Sequence, residues 1–158
     1  MRTSIDLHNY LQSLEVPHEI SLVEMPARTA AMAAASLGLD QSEIGKTLIV
    51  EADGNPLVVM IPGSRRLDVR KLKAITGASR IKLVEPQDAV SLTGYILGSI
   101  PPLAHANEMP VYIDLRLLSI PIIYTCGGQT NAVLKIKPTD LISAGNAQIV
   151  DIADDGRV

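Results

Sequence analysis

The stretch that most constrains this chain runs from Thr47 to Ile61. Two aliphatic, β-branched runs, Thr47 to Glu51 and Leu57 to Ile61, flank Asp53-Gly54-Asn55-Pro56, whose residue types favour turns because Gly and Asn tolerate left-handed backbone and Pro fixes φ. The pattern predicts a β-hairpin. At 158 residues the chain is one domain's worth, read as a single unit over 1–158. With 47% apolar and 20% charged residues it can bury enough surface to offset its ordering entropy, which excludes disorder. Four Tyr with no Phe and no Trp leave the core to Leu, Ile, Val, Ala and Met, and an extended base-stacking platform is not expected.

Helices and short strands interleave around the hairpin. Thr3 and Asp6 make a capping-box-like start, with Ile5, Leu11 and Leu14 near helical spacing until Pro17. His18 to Val23 reads as a strand, Pro26 as a break, and Thr29 to Leu37 as an Ala-rich helix closed by Gly38. Gln41 to Gly45 reads as a helical turn. Asp68 caps a helix expected to face Val69, Leu72 and Ile75 inward and its basic residues outward, with Gly77 closing it. Ile81 to Val84 is a strand, and Pro86 opens a short helix ending near Gly94. Gly94 to Pro102, with two glycines and a diproline, is a loop of fixed shape. Val111 to Asp114, Ile122 to Thr125 and Ala132 to Ile136 are strands, and Pro138 to Ser143 is a last helix. Six to seven short strands and about five helices that do not alternate one for one predict an α/β (α+β) domain with a mixed, barrel-like sheet surrounded by helices, rather than a doubly wound sheet.

The net charge of −3 hides an asymmetry. Between Ser64 and Lys82 lie Arg65, Arg66, Arg70, Lys71, Lys73, Arg80 and Lys82 against Asp68 alone, a local balance of +6 that leaves −9 on the remainder. Two readings stay open: a solvated helix face, or a patch in which Arg65, Arg66, Arg70 and Lys71 contact the phosphates of a polyanion. No apolar run approaches the roughly 18 residues of a membrane span. The opening residues carry Asp6, His8 and Glu15 within their apolar positions, so no signal peptide is expected. A lone Cys126 cannot form an intramolecular disulfide or a thiolate zinc site, and a reducing, cytoplasmic location is expected.

Standard catalytic equipment is absent. His8, His18 and His105 are isolated, with no H-E-x-x-H or C-x-x-C around them, so neither metal nor other cofactor is expected. No G-x-S-x-G elbow and no nucleotide-binding glycine pattern occurs. A Ser-His-Asp constellation from distant positions stays open, with nothing local pointing to it. What remains is Lys46 at the entry to the hairpin and two glycine-containing turns, Gly98-Ser99-Ile100-Pro101-Pro102 and Thr125-Cys126-Gly127-Gly128.

These residues carry a resemblance. Gly45-Lys46-Thr47-Leu48-Ile49-Val50, Leu57 to Gly63 with Arg66-Leu67-Asp68, Thr93-Gly94-Tyr95, Gly98, Pro102, and the strand-turn-strand around Gly128 leading to Lys137-Pro138-Thr139-Asp140-Leu141 together resemble the YbaK family. That family comprises freestanding aminoacyl-tRNA deacylases and the editing domain of bacterial prolyl-tRNA synthetases. The resemblance implies hydrolysis of the ester joining a wrong amino acid to a tRNA 3′ end, typically tRNA for proline carrying Ala or Cys, with no metal. The expected partners are mischarged tRNA and, as a second candidate, prolyl-tRNA synthetase. It implies that Lys46 positions the substrate and that backbone amides of the turns at Gly98 and Gly128 stabilise the oxyanion. Thr29, Met32, Ser99, Ile100, Pro101, Pro102, His105, Cys126 and Gly127 are expected to line the substrate pocket.

Such a mechanism suits the chemistry. An activated ester mainly needs a positioned water and oxyanion donors, and glycine lets backbone approach the substrate. Thr29 and Met32 serve equally well as core, Cys126 reads as a small hydrophobe rather than a nucleophile, and His105 is open between pocket edge and structural role. The chain departs from many relatives at Ser99 and Ala104, where they carry glycine, and at Gln129-Thr130-Asn131, where some carry histidine. The alternative reading is an inactive module of the same fold that binds tRNA or a synthetase.

Overall fold

A computed structural model describes residues 1–24 and 28–156; the break expected at Pro26 lies outside the described residues. The hairpin is present and longer than the sequence suggests. β2 (Gly45–Ala52) and β3 (Asn55–Pro62) follow a first strand, β1 (Glu19–Leu22), and pair antiparallel from Gly45↔Pro62 to Ala52↔Asn55. Only Asp53 and Gly54 form the loop, with φ of 48° and 84°. Both positive values mark a type I′ turn, whose twist matches that of the strands. Asn55 and Pro56 therefore belong to β3 rather than to the turn, and Lys46 lies inside β2.

Five α-helices occur among the described residues: α1 (Ser4–Ser13), α2 (Ala30–Leu37), α3 (Val69–Thr76), α4 (Pro86–Thr93) and α5 (Pro138–Gly145). The remaining strands are β4 (Ile81–Leu83), β5 (Val111–Asp114), β6 (Ile123–Cys126), β7 (Ala132–Ile136) and β8 (Gln148–Val150). The eight strands form two sheets, β1-β7-β6 and β4-β2-β3-β5-β8. The smaller is antiparallel, and the larger is mixed, with β3, β5 and β8 parallel. A parallel bridge, Ile44 to Tyr124, joins them. The mixed α+β class holds, but the sheets do not close into a barrel, and β8 is an eighth strand that three residues of sequence did not reveal.

Local signals explain most of these elements. Thr3 and Asp6 form the reciprocal capping box of α1, and Asp68 caps α3 by accepting from the Arg70 and Lys71 N–H groups. The buried faces differ from expectation in two helices. α1 buries Leu7 and Leu11, whereas Ile5 is 67% and Leu14 48% exposed. In α3 only Leu72 is buried, and Val69 and Ile75 are each 39% exposed. Steps of three residues fall about 60° short of a full turn, so an eight-residue helix docked through Leu72 leaves both neighbours on its flanks. The main core lies where Leu7 and Leu11 meet Met60, Ile113, Ile123 and Leu134 of the sheets. One aromatic joins the aliphatics inside: Tyr95 is wholly buried.

Candidate active site

A cavity of about 420 Å³ opens where the start of α2 faces the start of β2, the end of β6 and the start of β7. Two glycines that the sequence placed in motifs without a role create it. A Cβ on Gly45 would stand 2.8 Å from Met60 Cε and 2.9 Å from Ile123 Cγ2, so glycine lets β2 run against β6. The Thr125 hydroxyl fixes that contact by donating to the Gly45 carbonyl at 2.7 Å. A Cβ on Gly63 would come within 2.6 Å of Ala30 Cβ and 2.9 Å of the Gln41 carbonyl oxygen, so glycine also admits α2. The Thr29 side chain caps α2 by accepting from the Met32 N–H, which sets the first turn of the helix at the cavity wall.

Lys46, half-buried on β2, lines this cavity together with Thr29 and Cys126. Among the described residues its ammonium has no ion-pair or hydrogen-bond partner, and no Asp or Glu lines the cavity. Arg28 is a second lining cation, which sequence reasoning missed because an isolated arginine ahead of a helix carries no signal. Thr47 was missed as well. Its Oγ1 is buried and has no hydrogen-bond partner among the described residues, an unusual condition for a hydroxyl. The walls are small and apolar, including Ala30, Ala31, Ala33 and Ala132. Burial pushes the Cys126 thiol up to about 11, so it is uncharged at neutral pH.

The glycine turns sit differently from one another. Gly98 is not among the cavity-lining residues but lies next to two that are, Arg28 and Cys126, and sits in the left-handed region with φ of 80°. Its carbonyl is 3.9 Å from the Cys126 Sγ, and the aliphatic stem of Arg28 packs over it. The turn is tied by the Ser99 N–H and Oγ, which both donate to the Ile96 carbonyl at 3.2 and 2.7 Å. Ser99 is therefore buried and engaged. Gly127 donates its N–H to the Ala132 carbonyl, and Gly128 is pressed on the start of α1, where a Cβ would stand 2.8 Å from the Ser4 nitrogen. Neither is among the cavity-lining residues.

Other expected residues also lie apart. Met32 is 39% exposed on α2 and does not line the cavity. Ile100 packs with Ile49, Val58 and Ala89, and Pro101 is buried. Pro102 and His105 line a separate cavity of about 510 Å³ beside Tyr10. The His105 Nε2 is 2.7 Å from the Pro101 carbonyl; a carbonyl only accepts, so Nε2 carries the proton. Burial lowers the pKa of this imidazole.

The basic stretch is divided. Lys71 pairs with Asp151 and Asp155, each at 3.0 Å, and also donates to the Ala153 carbonyl, while Arg65 donates to the Asp154 carbonyl at 2.9 Å. Hydrogen bonds from Arg116 and Lys71 hold the Asp151 carboxyl below its usual range. Arg66 and Arg70 are exposed, and their side chains form no ion pair or hydrogen bond among the described residues. Among the described residues no group of three His, Cys, Asp or Glu could hold a metal ion, and no helix is long and apolar enough to cross a membrane.

Known proteins resemble this chain in sequence and in fold. The sequence profile of the aminoacyl-tRNA editing domain matches residues 24–144. A provisionally named Cys-tRNA(Pro)/Cys-tRNA(Cys) deacylase, EbsC of Enterococcus faecalis, is 28% identical over 125 residues, covering 78% of this chain and 76% of that protein. A proline–tRNA ligase of Acidithiobacillus ferrooxidans is 32% identical over 111 residues, 70% of this chain but 20% of the ligase. The crystal structure of hypothetical protein APE2540 superposes with a TM-score of 0.89 at 34% identity, covering 94% of this chain and 99% of that one. The crystal structure of a candidate trans-editing enzyme for prolyl tRNA synthetase superposes at 0.87 with 25% identity, covering 96% of each chain.

Proposed function

Since the chain belongs to the aminoacyl-tRNA editing domain family, we propose that it is a trans-editing deacylase that hydrolyses the ester of a small wrong amino acid, Ala or Cys, on tRNA(Pro). The observation that carries this reading is the cavity itself: two cations, Lys46 and Arg28, without a partner among the described residues, small apolar walls, and no carboxylate among the described lining residues. The amino acid side chain lies against Ala30, Ala33 and Ala132. Lys46 holds the acyl carbonyl or the terminal ribose and phosphate, and the Gly98 turn offers backbone at the reacting centre. Water adds to the ester carbonyl, the oxyanion is held by the Lys46 ammonium and backbone N–H, and the bond to the ribose oxygen breaks. The products are the free amino acid and tRNA with its hydroxyl restored.

Among the described residues no imidazole or carboxylate lines the cavity, which supports a reading in which the neighbouring ribose hydroxyl of the substrate orients the water and no protein base is needed. Ser99, Gly127 and Gly128 then support the shape of the site rather than touch the ester. Pocket size discriminates by only about 1–3 kcal/mol per methylene, so neighbouring small amino acids are hydrolysed too. The test is a panel of tRNA(Pro) charged with Ala, Cys, Ser, Thr or Pro. Release of Ala or Cys, reduced about 10²-fold or more in Lys46→Ala, is expected. Release from none of them by the wild-type protein identifies an inactive binding module instead.

A further inference from the structure

Arg28 joins two parts of the site that no backbone element connects. It lines the cavity that holds Lys46, and its Cβ, Cγ and Cδ lie 3.1–3.4 Å from where a Cβ of Gly98 would stand. Among the described residues its guanidinium has no ion-pair or hydrogen-bond partner. Two cations lining one cavity, with no carboxylate among its described lining residues, favour an anion there. The ester carries no charge, and the α-ammonium of an aminoacyl group is itself positive, so the reacting end cannot supply that anion. The phosphodiester one ribose away can. Arginine presents a planar fork that matches two phosphate oxygens, whereas lysine is a point charge. A stem already laid on the Gly98 turn loses less rotamer freedom when the fork engages.

We propose that Arg28 is a positioning residue that grips the 3′-terminal phosphodiester of the tRNA and, through its stem, holds the Gly98 turn in place beside the ester. The inference rests on the reading of this cavity as the seat of a tRNA 3′ end. Lys46 then works at the acyl side and Arg28 at the phosphate side.

Arg28→Met separates the two roles, because it keeps an aliphatic stem over Gly98 and deletes the charge. Deacylation of mischarged tRNA(Pro) is measured across a salt series, with binding of a short RNA hairpin ending in single-stranded CCA measured in parallel. Arg28→Met is expected to raise KM about tenfold or more, leave kcat within about threefold, and reduce the logarithmic salt slope by about 0.7. Arg28→Lys is expected to keep the slope and lose part of the affinity. Wild-type KM, hairpin affinity and slope in a folded Arg28→Met, with impairment only in Arg28→Ala, would overturn the proposal and leave Arg28 as packing for the turn. If the wild type releases no amino acid yet hairpin binding depends on the Arg28 charge, the hydrolase reading fails and this one stands. Turnover with KM and hairpin binding indifferent to Arg28 sinks this one alone.

Discussion

Cys126 stands in the cavity wall as a neutral thiol held near 11 by burial, so it shapes the pocket rather than attacking the ester. Cys126→Ser is expected to keep deacylation within about tenfold, with slow alkylation of the wild-type thiol at neutral pH. Loss of activity on the scale of Lys46→Ala would make it a nucleophile. Tyr95 is the other single residue with a measurable signature. Its hydroxyl donates to the Ala104 carbonyl at 3.0 Å, and Ala104 sits at φ of 66°, in the left-handed region. An alanine there costs roughly 1–2 kcal/mol of backbone strain, and the buried tyrosine helps to hold that conformation. Tyr95→Phe is expected to lower stability by about 1–2 kcal/mol. Burial also pushes the phenol up to about 12, against roughly 10 in an unfolded chain. The neutral form is favoured by the fold, so this contribution is intact below about pH 10 and is lost as pH rises towards 12. Urea midpoints at pH 8 and 11 should show a steeper alkaline decline in the wild type than in Tyr95→Phe; parallel declines would contradict the assignment.

At the scale of elements, the segment after β8 changes what the basic stretch means. Asp114 is wholly buried and accepts from the Ile152 and Ala153 N–H groups at 2.9 and 2.7 Å. The Asp68 N–H donates to the Ile152 carbonyl, and Leu67 bridges Ala153. This strap brings Asp151 and Asp155 onto Lys71 and Arg116. A run of like charge in sequence is thus partly neutralised in space by residues some eighty positions away, which no local pattern could show. Asp151→Asn with Asp155→Asn is expected to tighten RNA binding and steepen its salt dependence by about 0.7–0.9 per cation freed. An unchanged slope would place the RNA path away from Lys71. The hairpin and the caps of α1 and α3 were legible because they depend on residues within one turn of each other. β8 and the flanks of α3 were not, because their burial is decided by distant partners.

For the molecule as a whole, the class of fold and the family resemblance could be read from ordered short motifs, since each motif marks a place where backbone must approach closely. Gly45 and Gly63 show why: they bring β6 and α2 against the hairpin and so form the cavity. Of the residues expected at the site, Lys46, Thr29 and Cys126 line this cavity, and the Gly98 turn lies beside it without lining it. Arg28, ahead of α2, and Thr47, on β2, line it through the tertiary packing that forms the cavity, a relation with no trace along the chain. Gly128, equally prominent in sequence, serves the docking of α1. The account stands on one claim, that the Lys46 cavity takes the aminoacyl end of tRNA and hydrolyses it. Single-turnover deacylation of Ala- and Cys-tRNA(Pro) by wild-type protein and folded Lys46→Met tests it most directly. The account predicts release of both amino acids by the wild type and a rate lower by about 10² or more in the variant. Equal rates for the two proteins would contradict it.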